Sequence, residues 1–363
     1  MKKHSVWVVE DLPPGCKALP TCWVLRYKFD FSGMIIRYKA RLVARGDKQV
    51  AGIDYNERYA PVVKWATIRT VLAFATAQNM VIYQLDVVTA FLGAPLGEVI
   101  YLRLPCGTIV RPLRSIYGLK QSPRQWFGTF HNFLLSLNLR QSTVDHGLYL
   151  TPVGGYLLLY VDDIVLCSTS GEARCLISLF KQRFEIKDLG DIEYLLGKRD
   201  RQHRSISLSQ ELYLTKIMER FNLGDSGVRN QTTPMDVSFD SSAGIIEGEP
   251  ADPMLYRFAI VSVMYAMLAT QPDIAYSISI LAQFSQSPTQ HHWRALRHHL
   301  YYLRTTKHYK LTYFTPVSDL LTLPTASVYS DGSYAREYHR HSVQGYLTLV
   351  SGAPVSWHGS KSS

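Results

Sequence analysis

The order of patterns along the chain predicts an α+β fold in which helices pack on one face of an antiparallel sheet. Residues 156–168 indicate a β-hairpin, because two apolar runs flank a single polar tip. Residues 123–139 before it and residues 171–184 after it carry apolar side chains at the spacing of an amphipathic helix. Helices that alternate with a hairpin in this way are typical of a sheet covered on one face. With 363 residues, 47% of them hydrophobic, the chain is too apolar for disorder and long enough for two or three domains.

The composition favours an acidic partner. The 39 Lys and Arg residues outnumber the 29 Asp and Glu residues, and the net charge of +10 makes nucleic acid the first candidate. The five cysteines are scattered without CxxC or Cys/His spacing, so we predict neither a disulfide framework nor a zinc site. The N-terminal apolar run stops at Glu10, and no apolar run is long enough for a membrane span. We therefore expect an intracellular protein without a signal peptide or membrane contact.

The N-terminal part predicts strands followed by one helix. Residues 23–46 contain two alternating segments around "FSG", a hairpin signal with polar and basic residues facing outward. Residues 67–80 place Ile68, Val71 and Leu72 on one helical face. Residues 81–91 then return to a β-rich composition with Asp86 in their midst.

The C-terminal part predicts a linker, a helical segment and a β-rich tail. Residues 225–254 are rich in Gly, Ser and Pro, which favours a linker, whereas residues 255–309 are mainly helical and a β-like tail begins near residue 326. Within the helical segment, residues 291–310 hold five Lys or Arg, five His and no acid, with aromatic residues interleaved. Such residues can neutralise phosphates and stack on bases. The alternative is a helix with one aromatic core face and one solvated basic face.

Two adjacent carboxylates, Asp162 and Asp163, interrupt the apolar hairpin at its tip. Burial of an unpaired carboxylate is costly, so the pair must be exposed, paired or bound to a cation. Successive strand side chains point to opposite faces, so one acid should face a site while the other lies off axis. With Asp86 on a neighbouring strand, the oxygen-only donors suit Mg²⁺ or Mn²⁺, and two such ions support phosphoryl transfer. A solvated turn is the alternative.

Several ordered motifs resemble those of the reverse transcriptase of Ty1/copia-type long-terminal-repeat (LTR) retrotransposons. They include "QLDVVTAF", "SIYGLKQSPRQWF", "YVDD", "LSQELYLTKIMERFNL" and "HHWRALRHHLYYLRTTKHYKL". The resemblance covers nearly the whole chain and implies a right-hand polymerase whose antiparallel palm sheet is backed by helices. The implied domains are a reverse transcriptase region in 1–225 with fingers mainly in 1–66 and palm mainly in 67–205, a thumb and connection in 206–325 with a linker near 225–254, and the truncated start of a ribonuclease H-like domain in 326–363.

The resemblance implies an RNA-directed DNA polymerase that extends a primer 3′-hydroxyl by two-metal nucleotidyl transfer. Its catalytic and metal-ligating residues would be Asp86, Asp162 and Asp163, with two Mg²⁺ ions as cofactors and Mn²⁺ as a substitute. Its partners would be an RNA or DNA template with primer, deoxynucleoside triphosphates, and a second copy or other products of the Pol polyprotein. The setting would be a cytoplasmic retrotransposon particle.

The resemblance also implies the residues that contact the incoming nucleotide. Phe91, five residues beyond Asp86, would lie beneath the sugar and clash with a 2′-hydroxyl, with an ordinary core position as the alternative. Either Lys39 or Arg41 would grip the triphosphate, unless this basic strand only faces the template backbone. Four residues would lie along the nucleotide and the template base: Tyr117, Gly118, Lys120 and Gln121.

Some positions depart from the family's pattern. Val88 stands where Lys is usual, Gly93 stands where Asn is usual, and only Thr108–Val110 remain where relatives carry a longer loop. These departures favour, as an alternative function, a catalytically decayed remnant that retains only nucleic-acid binding. Asp331 would be the first catalytic residue of the ribonuclease H domain. Because the later acids of that site are missing, we expect no ribonuclease H activity from this chain alone.

Overall fold

The computed structural model describes residues 5–29, 34–191, 197–200, 205–223, 231–236, 238–239, 248–314, 325–333 and 342–361. The strands among them are β1 (Trp7–Val9), β2 (Ala18–Phe29), β3 (Ile35–Ala44), β4 (Val81–Val87), β5 (Tyr101–Arg103), β6 (Ile109–Pro112), β7 (Arg140–Gln141), β8 (Leu148–Leu150), β9 (Tyr156–Tyr160), β10 (Asp163–Ser168), β11 (Ile186–Asp191), β12 (Gly197–Asp200), β13 (Ser205–Ser209), β14 (Lys310–Phe314), β15 (Ala326–Ser333), β16 (Val343–Val350) and β17 (Ala353–Lys361). The helices are α1 (Trp65–Ala77), α2 (Ala90–Gly93), α3 (Ser122–Ser136), α4 (Ser170–Arg183), α5 (Glu211–Arg220), α6 (Pro253–Ala269), α7 (Ala275–Ala282) and α8 (Gln290–Thr306), with 3-10 turns at Gly46–Lys48 and Pro272–Ile274.

The chain divides into two compact units, and each is discontinuous in sequence. The first unit comprises Met1–Val63 and Tyr83–Gly190, and the second comprises Lys64–Ile82 and Asp191–Ser363. Helix α1 therefore belongs to the same unit as the C-terminal strands, although it precedes β4 in the chain.

The N-terminal sheet of the first unit has the order β1-β6-β5-β2-β3. Strands β2 and β3 pair antiparallel from Thr21 opposite Ala44 towards their shared tip, which confirms the predicted hairpin. The "FSG" tip itself lies outside the described residues. A core of buried aliphatic side chains supports this sheet, including Leu19, Leu102 and Val110.

The second sheet of the first unit has the order β11-β4-β10-β9-β8-β7, with antiparallel pairing from β7 to β10. Helices α3 and α4 supply an aromatic cluster in which Phe130 and Phe133 both pack against Phe180 and Phe184. The spacing of these rings along both helices explains why the sequence predicts amphipathic helices here. This sheet with its helices confirms the predicted α+β class.

Strand β4 ends earlier than the composition of residues 81–91 suggests. The strand stops at Val87, and Thr89 takes a left-handed conformation with φ of +55° before α2 begins. A left-handed residue breaks the extended backbone, so residues 90–93 form a short helix and do not continue the strand.

The second unit combines two three-stranded sheets with a helical core. The sheets have the orders β12-β13-β14 and β15-β16-β17, and α1 packs against β13, β14 and β17. Helices α5, α6, α7 and α8 share a core that contains Leu214, Tyr256, Ile278, Leu296 and Leu300.

Part of the polar stretch 225–254 has defined contacts with α8 and α6. The Nε2 atom of His298 lies 3.0 Å from the carbonyl oxygen of Thr233, and the Nδ1 atom of His299 lies 3.0 Å from that of Pro234. Asp252 caps α6 by accepting from the backbone of Met254 at 2.8 Å. Among the helices described, none has both the length and the apolar content to cross a membrane.

Candidate active site

The fold places Asp86 and Asp162 at the same end of two neighbouring strands. Strand β4 lies beside β10, and Asp86 is the penultimate residue of β4. In the β9–β10 hairpin, Asp163 pairs with Tyr160, so Val161 and Asp162 form the turn. The backbone N–H of Val87 donates to the carbonyl oxygen of Asp162 at 2.9 Å. This hydrogen bond fixes the turn directly beside the end of β4.

The turn depends on an unfavourable backbone conformation at Val161. Its φ of +60° lies in the left-handed region, which a β-branched residue adopts at a cost of about 1–3 kcal/mol. The indole Nε1 of Trp126, a buried residue of α3, donates to the carbonyl oxygen of Val161 at 2.7 Å. Helix α3 therefore holds the turn in place from behind the sheet.

The three carboxylates repel one another in a half-buried setting. Burial raises the pKa of Asp162, and the charge of Asp86 raises it further, whereas Arg41 and Lys39 lower it. Burial also raises the pKa of Asp163 to about 6, with added contributions from the charges of Asp162 and Asp86. An oxygen-only set of this kind fits a hard divalent cation, which would relieve the repulsion.

The three carboxylates do not converge on a single point. Among the described residues, no group of three or more His, Cys, Asp or Glu side chains is placed to hold a metal ion. The placement of Asp163 contributes to this, because Asp163 is the first residue of β10 whereas Asp162 lies in the turn before it. Asp86 and Asp162 are therefore the pair that the structure brings together, with Asp163 beside them.

An aromatic and cationic surface lies next to this pair. The ring centroids of Phe91 and Tyr117 are 5.0 Å apart, and the Arg41 guanidinium carbon lies 5.2 Å from the Tyr117 centroid. Burial and the charge of Asp162 raise the pKa of Tyr117. Phe91 is only partly buried, so part of its ring is accessible.

Lys39 and Arg41 lie on the same face of β3, two residues apart, and both act electrostatically on Asp162. Both predicted finger cations therefore lie close enough to Asp162 to lower its pKa.

Gly118 packs closely against the backbone of Ala44 at the end of β3. Its φ is +92°, and a Cβ atom there would lie 2.2 Å from the carbonyl oxygen of Ala44. Ala44 in turn donates its N–H to the Tyr117 carbonyl oxygen at 2.8 Å. A Cβ atom on Gly46 would also collide with Gly118. The glycine pair allows the loop before α3 to lie tightly against the end of β3.

Gln121 and Lys120 point into the segment 49–55. Gln121 is fully buried, its Oε1 accepts from Nε2 of Gln49 at 3.0 Å, and its own Nε2 donates to the Asp54 carbonyl oxygen at 3.0 Å. The Nζ of Lys120 lies 3.3 Å from the Tyr55 hydroxyl. In this conformation both side chains position residues 49–55 and do not extend towards the carboxylates.

Three residues support the site although the sequence does not predict this role: Gln49, Trp126 and Val161. Trp126 counts there only as a core residue of a helix, because nothing local shows that its N–H reaches a carbonyl 35 residues away. The burial of Gln49 depends on its pairing with Gln121 and likewise has no local signal.

The basic helix α8 shows the arrangement that the sequence leaves as the alternative. Tyr301 and Tyr302 are buried, whereas Arg294 and Arg297 are exposed. The guanidinium groups of Arg297 and Arg304 lie 5.8 Å and 5.1 Å from the Tyr301 ring centroid. The aromatic face thus belongs to the core and the basic face to the surface.

Asp331 lies in β15 of the second unit, exposed and opposite Gly345 of β16.

The chain matches a family model over residues 4–237, and that family is described as reverse transcriptase (RNA-dependent DNA polymerase). It is 35% identical over 386 residues to the retrovirus-related Pol polyprotein from transposon TNT 1-94 of Nicotiana tabacum, an alignment that covers 98% of this chain and 28% of the relative. It is 34% identical over 376 residues to the corresponding polyprotein from transposon RE1 of Arabidopsis thaliana, with coverages of 99% and 25%. The chain therefore spans about a quarter of the length of these relatives.

A foamy viral protease–reverse transcriptase, solved in complex with double-stranded DNA, shares the fold. The TM-score is 0.52 at 12% sequence identity, and the match covers 99% of this chain and 54% of the viral chain. This likeness confirms the predicted right-hand polymerase fold. The family match over residues 4–237, together with the two transposon relatives, shows that the chain belongs to the reverse transcriptase family of Ty1/copia-type retrotransposons.

Proposed function

We propose that this chain acts as the RNA-directed DNA polymerase of an LTR retrotransposon and adds deoxynucleotides to the 3′-hydroxyl of a primer. The observation that carries the proposal is the hydrogen bond from Val87 N–H to the Asp162 carbonyl oxygen, which sets Asp86 and Asp162 side by side. The cations Lys39 and Arg41 act on the same carboxylate from β3, where a triphosphate would need them.

The carboxylates have the role of metal ligands in this proposal. Asp86 and Asp162 would hold two Mg²⁺ ions, with Asp163 contributing from its off-axis position. Bound there, such ions activate a hydroxyl nucleophile and stabilise the leaving pyrophosphate. The protein keeps its carboxylates half-buried and close together, so that they gain most from a cation when nucleotide phosphates complete the coordination.

Phe91 would select deoxyribose over ribose. Its ring packs against the Tyr117 ring at a centroid distance of 5.0 Å, which limits its movement. A fixed ring beneath the sugar excludes a 2′-hydroxyl by contact. Phe91→Ala should therefore raise the incorporation of ribonucleotides relative to deoxynucleotides, and an unchanged ratio would remove Phe91 from this role.

The exposed face of α8 would bind the phosphate backbone of the primer–template. Arg294, Arg297 and Arg304 recur at intervals of three and seven residues, which places them along one side of the helix. Because their contacts would go to phosphates, we expect little sequence preference and a strong dependence of affinity on salt.

Mg²⁺-dependent primer extension on an RNA template tests the proposal. The wild-type chain should extend the primer, Asp86→Asn and Asp162→Asn should abolish extension, and all three should bind primer–template equally. Asp11→Asn, which changes an exposed acid in the first unit, is the matched control and should retain full activity. If the wild-type chain binds primer–template but does not extend the primer, the polymerase proposal is wrong and the alternative of a catalytically decayed, nucleic-acid-binding remnant is supported.

A further inference from the structure

Arg69 of α1 is a buried cation without a carboxylate partner in the described part of the chain. Its side chain is only 4% exposed. Nε donates to the Val355 carbonyl oxygen at 2.8 Å, and Nη1 donates to the carbonyl oxygens of Leu268 and Ala269 at 2.5 Å and 3.0 Å. Among the described residues no group accepts from Nη2, so the two N–H donors of this nitrogen have no partner there.

The surroundings neutralise this charge only in part. Burial lowers the pKa of Arg69 to about 10, so the group stays protonated at neutral pH. The groups that oppose this shift are Tyr313 and Tyr346, and neither of them is a carboxylate. The last carbonyls of α6 offer the partial negative charge of a helix C-terminus. A buried positive charge therefore lacks a full counter-charge.

Arg69 lines a cavity of about 540 Å³ within the second unit. The cavity is enclosed by α1, α6, α7, β16 and β17. Its walls are mostly apolar, and its principal lining residues are Trp65, Met264, Met267, Ile278 and Trp357. The Arg69 guanidinium carbon lies 3.7 Å from the Trp357 ring centroid, which fixes the cation against one aromatic wall. Cavities of about 300–1,000 Å³ with apolar walls and one or two polar anchors are typical of small-molecule sites.

We propose that this cavity binds a small monoanion with an aromatic or aliphatic body, of the carboxylate or sulfonate class. The anionic group would accept hydrogen bonds from Nη2 of Arg69, and the body would lie between the indole rings and the methionine side chains. The charge-assisted contact would supply the missing counter-charge, and the flexible methionines would adapt to the body. A multiply charged nucleotide does not fit, because the cavity offers one buried guanidinium and mostly apolar walls. None of these residues belongs to the proposed polymerase site.

A matched pair of fluorescent dyes tests the charge requirement on the full chain. The probes are 8-anilinonaphthalene-1-sulfonate and N-phenyl-1-naphthylamine, which share the ring system and differ in the sulfonate. The sulfonate should bind with a stoichiometry of one and at least about tenfold more tightly than the neutral dye, because a hydrogen bond to a charged group is lost with it. Arg69→Gln should abolish that preference. Equal affinities for the two dyes in the wild-type chain would overturn the proposal.

A second pair of variants tests the location and does not depend on the folding of the Arg69 variant. Met264→Trp narrows the cavity from its half-exposed rim, whereas Met254→Trp makes the same change at an exposed position of α6 outside the cavity. The first should weaken sulfonate binding at least about tenfold, as expected for a filled apolar pocket, and the second should leave it unchanged. Equal effects of the two variants would show that the dye binds elsewhere and would overturn the proposal.

Discussion

The indole N–H of Trp126 donates to the carbonyl oxygen of Val161 over 2.7 Å and so connects α3 to the turn that carries Asp162. Because Val161 is held at φ of +60°, loss of this donor should let the turn relax. We expect Trp126→Phe to slow primer extension at least about tenfold and to reduce the free energy of unfolding by about 1–2 kcal/mol.

Extension rates, primer–template affinities and urea unfolding curves together check this prediction. The affinity for primer–template should not change, because Trp126 is buried. Trp23→Phe is the control, since Trp23 is 55% exposed on β2. Equal loss of rate in the two variants would contradict a positioning role for Trp126.

Gly118 should not tolerate any side chain. A Cβ atom there would lie 2.2 Å from the Ala44 carbonyl oxygen. The substituted residue would also have to adopt a φ of +92°. We expect Gly118→Ala to lower the free energy of unfolding by at least about 3 kcal/mol. Gly128→Ala is the matched control, because a Cβ atom at this position in α3 meets nothing within 4 Å. It should stabilise the protein by about 0.5–1 kcal/mol, and chemical denaturation of both variants decides the matter.

Asp163 should destabilise the metal-free protein at neutral pH. Burial first, and then the charges of Asp162 and Asp86, raise its pKa from the ordinary 3.8 to about 6. Between these values the folded state binds more protons than the unfolded state, so stability falls as pH rises through this window. Asp163→Asn should therefore raise the free energy of unfolding by about 1–2 kcal/mol above pH 6 and by almost nothing near pH 4.

Urea unfolding in the presence of a chelator, at pH 4 and at pH 7, measures this difference. A gain of the same size at both pH values would show that it comes from packing and not from ionisation.

His299 should make the protein sensitive to mild acid. It is fully buried, its Nδ1–H donates to the Pro234 carbonyl oxygen at 3.0 Å, and burial lowers its pKa to about 4. The unfolded chain takes up a proton near the ordinary pKa of 6.5 while the folded chain does not, so stability is present above this value and is lost as pH falls towards 4.

His299→Asn keeps a donor near the Nδ1 position and removes the titration. Between pH 7 and pH 4.5 the wild-type chain should lose about 2 kcal/mol more than this variant. His308→Asn, at an exposed position, is the control and should lose as much as the wild type. Parallel pH profiles for wild type and His299→Asn would contradict the prediction.

The sequence predicts most local elements of the fold because periodicity and turn residues act over short distances. The β9–β10 hairpin and helices α1, α3 and α4 follow from these signals, and the adjacency of Asp86 and Asp162 follows from the family resemblance. The turn itself lies one residue earlier than the apolar pattern suggests, since Asp163 already pairs with Tyr160 as part of β10 and the turn residues are Val161 and Asp162.

Long-range pairing explains what the sequence does not predict. The motif predicts that Gln121 donates a hydrogen bond to the nucleotide, but its side chain is buried against Gln49, 72 residues away. The aromatic residues of α8 predict rings that stack on bases, but Tyr301 and Tyr302 pack into a core shared with other helices. No local pattern around Arg69 shows that its acceptors are the carbonyl oxygens of Leu268, Ala269 and Val355.

The union of α1 with β17 also determines when the second unit can fold during synthesis. Arg69 and its acceptor Val355 are separated by 286 residues, a stretch that takes roughly 15–60 s to translate at about 5–20 residues per second. The first unit is complete once residue 190 has been made, so it can fold on the ribosome. For the rest of that interval, the apolar face of α1 stays exposed because β17 has not yet been synthesised. We expect chaperones that bind exposed apolar segments to bind the nascent chain there.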